Sequence, residues 1–471
     1  MKIFRKIKTV LIASMVAALI VFGSPAMSYN VEQASHQILK DSYSSHQANS
    51  VLAPTNNNLL ISKKIPASRI KVRKNVVDLT AQEKYAFIDA IRTLKNTVPE
   101  GSNINIYDQF VAVHVAAMGL MYEAAQGPAA GHDGAHESDV FLPWHREFIY
   151  RFEKALQSVN PNVTIPYWDW TDPKALEVIF ADDFMGPNGQ GVTLNIPDFG
   201  NAPNGSMMSG FDGQGAPNFP DFGNAPSGSM MSGFDGQAAP NLPVVSVQGG
   251  PVQSGPFSAA NGWILNPTLH VKTTGEPFGE VLLRFMQVPP TNTYPVPRED
   301  VEQLLTIDDY KNFRLALEGF IKLDSSTQQP TPGVFQHNYF HSFVGGATFD
   351  PAVGRPEPLG TMGALASSIN DPVFWLIHSN VDRLWAEWQV NGHAGSDYYP
   401  AEGGHYGENL NDRLWPWDGG ESTPANWVQG DLLSLVPAFS PDDIVTPKDT
   451  LKFRKYGYTY DTFNGAAKTS T

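Results

Sequence analysis

Apolar residues recur every three or four positions in several long runs of this chain, the spacing that gathers them on one helix face. The first run is VRKNVVDLTAQEKYAFIDAIRTLKN. Thr80 and Glu83 have the form of a capping box there, and Tyr85, Ala86, Ile88, Ile91 and Leu94 keep the rhythm that follows. A second run covers residues 105–124, and a third covers 140–158, VFLPWHREFIYRFEKALQS, where Pro143 is tolerable near the first turn. The pattern returns at 300–323, around FQHNYFHSFV, and at 369–389, INDPVFWLIHSNVDRLWAEWQ. In the last run Asp371 is placed to cap and Pro372 to occupy the first helical position, while Phe374, Ile377, Val381 and Leu384 share a stripe. The aromatic tail KYGYTYDTF reads as strand or coil. A mostly helical core wrapped by long loops is expected.

Two segments break the pattern. Residues 29–70 are rich in Ser, Gln and Asn, which predicts a loose segment. The stretch PDFGNAPNGSMMSGFDGQGAPN (197–218) recurs almost unchanged at 220–241, inside a Gly/Pro-rich insertion at about 186–250. Its composition predicts turns and loop, and two copies are too few for a solenoid.

Charge and the amino terminus narrow the class. MKIFRKIK, a short apolar run and SPAMS have the layout of a secretory signal over residues 1–28. The apolar run is shorter than the ~20 residues of a membrane span, so no stable membrane association is expected after the signal is removed. The whole chain carries a formal charge of −15, and the signal contains Lys2, Arg5, Lys6 and Lys8, so without it the charge is near −19. Such a surface repels phosphate backbones and argues against nucleic acid as a partner. With no cysteine, disulfides, thiolate metal sites and thiol nucleophiles are excluded. Any metal site must use His, Asp, Glu or main-chain oxygen.

Seven of the twelve histidines sit on or beside the helical runs: His114, His132, His136, His145, His337, His341 and His378. On a helix, His337 and His341 project from one face a turn apart and can share a metal ion. HExxH zinc chemistry does not apply, because Asn338 rather than Glu follows His337. A single such histidine is ordinarily a satisfied core residue. Several pointing toward one core would be costly to bury unless a metal site inside a helix bundle satisfied them together.

These residues also carry a family resemblance. AHESDVFLPWHREFIYRFEKAL resembles the first copper signature of tyrosinases, with YDQFVAVH resembling the segment that supplies its remaining ligand. FQHNYFHSFVGG followed by NDPVFWLIHSNVDRLWAEWQ resembles the second signature. GPFSAANGW, NLNDRLWPWD and GYTYD are similar to further family segments, and the match spans about 70–465. The domain expected is therefore 71–465, with 466–471 as a tail.

The resemblance implies a mainly α fold: an antiparallel four-helix bundle housing a dicopper centre, wrapped by long loops with a few short strands. Two copper ions are implied, one on His114, His136 and His145 and the other on His337, His341 and His378. The nine-residue spacing to His145 favours His136 over His132. Ile377 stands where many relatives carry another histidine. Dioxygen needs two electrons to reach peroxide, and two Cu(I) ions can supply one each. The implied partners are O2 and a small phenol. The phenol must reach copper as phenolate, although its pKa is about 10. In such relatives an Asn at the position of Asn338, with an upstream Glu, orients a water that accepts the proton. Glu318 in LEGF is the best match for that Glu, followed by a longer loop than in compact relatives. Asp382, one turn after His378, is placed to accept its second ring N–H or to pair with Arg383 or Arg146. Phe374 should pack against the metal-binding face.

The resulting expectation is an exported copper monooxygenase that hydroxylates monophenols and oxidises o-diphenols to o-quinones. A catechol oxidase or o-aminophenol oxidase lacking the hydroxylation, a haemocyanin-like oxygen carrier and a zinc structural protein are the alternatives.

Overall fold

A computed structural model describes residues 70–118, 120–121, 133–197, 244–272, 276–324, 326–327, 329–350, 355–420, 423–424 and 432–463. The expected signal, the loose segment up to residue 69, His132, the repeat from Asp198 onward and the 466–471 tail lie outside them.

Seven helices carry the core: α1 (Ala81–Asn96), α2 (Ile106–Ala117), α3 (Phe141–Val159), α4 (Arg298–Leu304), α5 (Tyr310–Glu318), α6 (Gln336–Gly345) and α7 (Val373–Val390). The capping box of α1 forms in both directions. Glu83 N–H donates to Thr80 Oγ1 at 3.2 Å, and Thr80 N–H donates to the Glu83 carboxylate at 2.9 Å. Ile88, Ile91 and Leu94 bury as their spacing predicts and Ala86 is half-buried, but Tyr85 faces solvent and Phe87, outside the expected stripe, is buried in its place.

Two predicted runs are cut short. The helix expected over 105–124 ends at Ala117, and Leu120–Met121 instead pairs as a short strand with Thr423–Pro424. The run at 300–323 divides into α4, α5 and a strand, because Asp309 caps a fresh helix by accepting from Asn312 N–H at 2.9 Å. Gly319, at φ +110, then ends α5 in the left-handed region. Asp371 does cap α7, accepting from Val373 N–H at 3.1 Å, while most of its carboxylate serves a two-pronged pair with Arg284 at 2.7 and 2.8 Å.

In packing, α3 lies against α1, α5 and α7, and α6 lies against α5 and α7. Helix α2 meets α1 and the 3₁₀ turn Leu365–Asn370. One apolar cluster runs from Val76 to Leu451, with Phe152 and Trp375 stacked 3.5 Å apart at its centre. The strands are short. β1 (Lys71–Arg73) pairs in parallel with β7 (Tyr458–Tyr460), tying the first described residues to the last.

The ends of the insertion are not loop. β2 (Val192–Pro197) pairs antiparallel with β3 (Val244–Pro251), in register Val192↔Gly249 to Pro197↔Val244, and β3 continues onto β4 (Leu283–Arg284). The sequence reading missed this ribbon because Gly and Pro dominate the insertion as a whole. Its flanks put Ile196 and Val247 into a satellite cluster with Phe285 and Val288. A second hairpin, β5 (Ile321–Leu323) with β6 (Pro330–Pro332), occupies the long connection after Glu318.

Charge is buried where β1 and β7 meet the helices. Asp382 on α7 accepts from Arg146 Nε of α3 at 2.5 Å, Arg73 of β1 at 3.1 Å, and Tyr458 Oη and Tyr460 Oη of β7 at 2.6 and 2.5 Å. Arg73 also holds Glu153 at 2.7 Å. Burial works against the charge on Asp382, yet the two guanidiniums and two hydroxyls keep its carboxyl below the usual range. The network fastens α3 to α7, the helices that carry His145 and His378.

Candidate metal centre

The six histidines expected from the sequence come together as two triads, all buried. His114 projects from α2 and His145 from α3, while His136 comes from the irregular segment 133–139 ahead of α3. In the second triad His337 and His341 stand one turn apart on α6, with ring centroids 4.4 Å apart, and His378 meets them from α7. Within each triad one nitrogen per ring lies within 4.8 Å of the other two. The triads adjoin, since His145 and His378 stack at 4.3 Å and His136 and His337 are 6.4 Å apart.

Every ring but that of His378 has its orientation set from behind. His114 Nδ1 faces the Ala366 carbonyl at 2.9 Å and His145 Nδ1 the Phe141 carbonyl at 2.9 Å. His341 Nδ1 faces the Met362 carbonyl at 3.1 Å. His337 Nδ1 lies 3.2 Å from the Glu318 carbonyl and 3.1 Å from Asn338 Oδ1. An Nδ1–H donated to such an acceptor leaves Nε2 with its lone pair, the state a metal needs. His114, His136 and His145 each bury an Nε2 that has no hydrogen-bond partner, and His337 Nε2 and His341 Nε2 converge on His378 Nε2 at 3.2 and 3.4 Å.

The electrostatics agree with that tautomer. Burial, followed by the neighbouring imidazoles, holds His145, His337 and His378 well below the ordinary histidine range. Burial likewise brings His114 and His341 down to about 3. These rings are neutral at pH 7. Two sets of three converging imidazole nitrogens, without thiolate or carboxylate, suit copper and leave coordination positions open for a small molecule. The residues present therefore fit a pair of copper ions.

The other predicted residues divide. Phe374 packs on the site as expected, 4.0 Å from the His378 ring and 5.1 Å from His114. Asp382 does not serve His378, whose buried Nδ1 has no partner. Its oxygens are taken by Arg146, Arg73 and the two tyrosines, and Arg383 pairs with Glu387 instead. Ile377 is buried in the core. Glu318 is no solvated helix residue: it is buried, and its oxygens accept from Glu137 N–H at 2.6 Å and Arg314 at 2.9 Å. Burial raises its carboxyl above the usual range in spite of Arg314. Asn338 is half-buried beside His337.

Gly319 lets Glu318 approach α6. A Cβ there would lie 2.1 Å from the Phe335 carbonyl oxygen, so only glycine fits the junction.

Several supporting residues escaped the sequence reading. Asp133 accepts from the amides of Ala135 and His136 at 2.8 and 2.9 Å and sits 3.2 Å from His136 Nδ1, so it orients the one histidine not on a helix. Its position three residues ahead of His136 was the available signal. Phe141 fills the space among the rings, 4.9 Å from both His145 and His337. Behind His341, the Met362 carbonyl belongs to a 3₁₀ turn, Thr361–Gly363, pinned by His270. His270 Nδ1 faces the Gly279 carbonyl at 2.8 Å, and its Nε2 meets Thr361 Oγ1 at 2.9 Å.

A family sequence model described as the common central domain of tyrosinase matches residues 104–391, well over half of the chain. A tyrosinase from Streptomyces glaucescens is 31% identical over 358 residues, covering 75% of this chain and 94% of its own length. A protein named grixazone synthase from Streptomyces griseus is 28% identical over 383 residues, covering 76% and 96%. Among solved structures, a polyphenol oxidase of Thermothelomyces thermophila aligns with a TM-score of 0.49 at 20% identity, covering 83% of this chain and 88% of its own.

Proposed function

Because this chain belongs to the tyrosinase family, whose members carry a type-3 dicopper centre, we propose that it uses O2 to hydroxylate small monophenols and to oxidise o-diphenols to o-quinones. The observation that carries this reading is the pair of adjoining triads, each built from buried imidazoles whose Nε2 atoms converge, with Nδ1 of every ring but His378 held by an acceptor. His114, His136 and His145 would hold one copper, and His337, His341 and His378 the other. When bound, the copper pair supplies the two-electron redox chemistry of dioxygen. The protein's own part is to aim the imidazoles, to keep His114, His145, His337, His341 and His378 neutral by burial, and to exclude water with Phe141 and Phe374.

Deprotonating the phenol falls to the junction between α5 and α6. Glu318 is buried with a raised carboxyl pKa, the property of a group poised to take up a proton nearer neutrality than an ordinary carboxylate. Asn338 is the adjacent polar side chain on α6. One observation favours the diphenol-only alternative: Arg314 and Glu137 N–H already occupy both Glu318 oxygens, which reduces their capacity to accept from a phenol or water. As for location, the leader-like residues 1–28 support export, and no helix among the described residues is long and apolar enough to cross a membrane.

The test is to load the purified protein with copper, add hydrogen peroxide, and record the near-ultraviolet spectrum, then assay a monophenol against its o-diphenol. A strong new band with turnover of both substrates is expected. Turnover of the diphenol alone selects the catechol-oxidase reading, a band without turnover selects an oxygen carrier, and no band removes the dicopper assignment.

A further inference from the structure

His136 is held differently from the other five histidines of the two triads. His114, His145 and His341 each face one main-chain carbonyl through Nδ1, and His337 faces a carbonyl and the neutral amide of Asn338. The Nδ1 of His378 has no hydrogen-bond partner. His136 Nδ1 instead lies 3.3 Å from Oδ1 and 3.2 Å from Oδ2 of Asp133. Among the described residues, Asp133 is the one carboxylate set against a ring nitrogen of either triad.

Its charge is both fixed and unbalanced. Oδ1 also accepts from Ala135 N–H and His136 N–H at 2.8 and 2.9 Å, so a turn holds the carboxylate behind the ring. The Asp133 side chain is largely buried, and no Lys or Arg among the described residues pairs with it. Glu318 is the contrasting case. Its carboxylate reaches the same segment through Glu137 N–H, but Arg314 at 2.9 Å balances its charge. A carboxylate behind a ligating imidazole draws on Nδ1–H and makes Nε2 a stronger donor. Its negative charge also favours the metal state that carries more positive charge. Copper gains one unit of positive charge when it gives up one electron in passing from Cu(I) to Cu(II).

We propose that Asp133 is a positioning residue that lowers the reduction potential of the first copper, a role that rests on the dicopper centre proposed above. Acting through His136, it raises the affinity of His114, His136 and His145 for Cu(II) more than for Cu(I). The second triad has no counterpart, since its rings are backed by neutral groups or, at His378, by none. The turn and the charge are separable: an uncharged acceptor at position 133 can still take the two amides, but it cannot favour one oxidation state by charge.

Copper affinity in each oxidation state tests this without any turnover. Full-length protein carrying His341→Ala, which breaks the second triad, leaves the first ion to be read alone, and His337→Ala serves if that variant does not fold. Cu(II) is titrated against nitrilotriacetate in air and Cu(I) against bicinchoninate under argon. Asp133→Asn keeps an Oδ1 for the two amides and removes the charge. Asp133→Ser, also uncharged and also an acceptor, replaces it if thermal unfolding shows the Asn variant to be unfolded. The ratio of Cu(II) to Cu(I) affinity should fall about tenfold or more, which raises the potential of this one-electron couple by about 59 mV or more. In protein carrying His114→Ala, which breaks the first triad instead, the same substitution should leave the second triad's ratio unchanged. Equal loss of both oxidation states would make Asp133 a turn residue alone. That result, any smaller fall in the ratio, or an equal shift at the second triad would each overturn the proposal. Unmodified protein that binds no copper would remove the dicopper reading and this inference together, whereas the other outcomes remove this inference alone.

Discussion

His145 and His378 stack at 4.3 Å with only 15° between their planes, although they belong to different triads and different helices. This contact makes the two halves of the centre one packed unit, held from behind by the Arg146–Asp382 pair between the same helices. His378→Ala should therefore cut copper from two ions per chain to one or fewer, measured by elemental analysis after loading. His136→Ala should cost the first triad its copper, whereas His132→Ala should leave both ions bound. The opposite result for that last pair would exchange the two residues' roles.

Asp382 is the charge at the centre of the buried network, and breaking a buried pair by removing one partner costs roughly 3–5 kcal/mol. Asp382→Ala should lower unfolding stability by about that amount in urea titration. The pH dependence follows from its depressed pKa. Its contribution is present above the ordinary carboxylate pKa of about 4 and is lost as pH falls through the lower folded value. A loss below 1 kcal/mol would mean the tyrosines and arginines re-pair without it.

Acid should destabilise the metal-free protein well before its carboxylates titrate. His114 and His341 are brought down to about 3, so between about pH 6.5 and 3 the unfolded chain binds protons that the folded chain does not. Stability falls through that window, by about 2 kcal/mol per such imidazole at pH 5. Denaturant unfolding of metal-free protein at pH 7 and pH 5 checks this, and equal stabilities would contradict neutral folded-state rings.

Glu318→Gln should lower monophenol turnover about 100-fold, the scale of a lost general base, while diphenol turnover stays within a few-fold. Asn338→Ala should bias activity in the same direction more weakly. In the unmodified protein, monophenol activity should fall as pH drops through a value above the ordinary carboxylate range, because burial raises the Glu318 carboxyl that must be ionised. Equal losses on both substrates would assign these residues to holding the α5–α6 junction alone.

His270 bonds to Thr361 and the Gly279 carbonyl rather than to any histidine of the two triads, yet it pins the turn whose Met362 carbonyl orients His341. His270→Ala should weaken copper binding at the second triad about tenfold and spare the first, since outer groups of this kind tune metal affinity by roughly 10–100-fold. Chelator competition resolves the two ions. Equal weakening of both would indicate a general loss of packing.

Much of this was legible locally. The capping box at Thr80 and Glu83, the His337–His341 spacing and the α7 stripe all depend on neighbours within a turn or two, where helical periodicity dictates geometry. Errors arose where a longer-range pairing won: helix α2 ended early, and β2 and β3 formed from the edges of a Gly/Pro-rich insertion. One was local, since Asp309 restarted a helix inside an apparently continuous run by capping it three residues on. The burial of Glu318 was invisible, because it depends on Gly319 closing against Phe335 across the longer connection.

By itself the sequence determined the chemistry of this protein. It has no cysteine, so any metal site must be built from imidazole, carboxylate or main-chain oxygen, and the histidines gathered on or beside the helical runs point to imidazole. That the metal is copper is what the resemblance of FLPWHR and NDPVFWLIH to the tyrosinase signatures implies. Tertiary structure decided how those rings are held. Asp382 is bonded to Arg73 309 residues away and not to His378, and His114 and His341 are aimed by main-chain carbonyls 252 and 21 residues away. A carbonyl has the same chemistry at every residue, so no sequence pattern marks which will face a histidine. Only the packing of the 3₁₀ turns before α7 against α2 and α6 fixes that for His114 and His341.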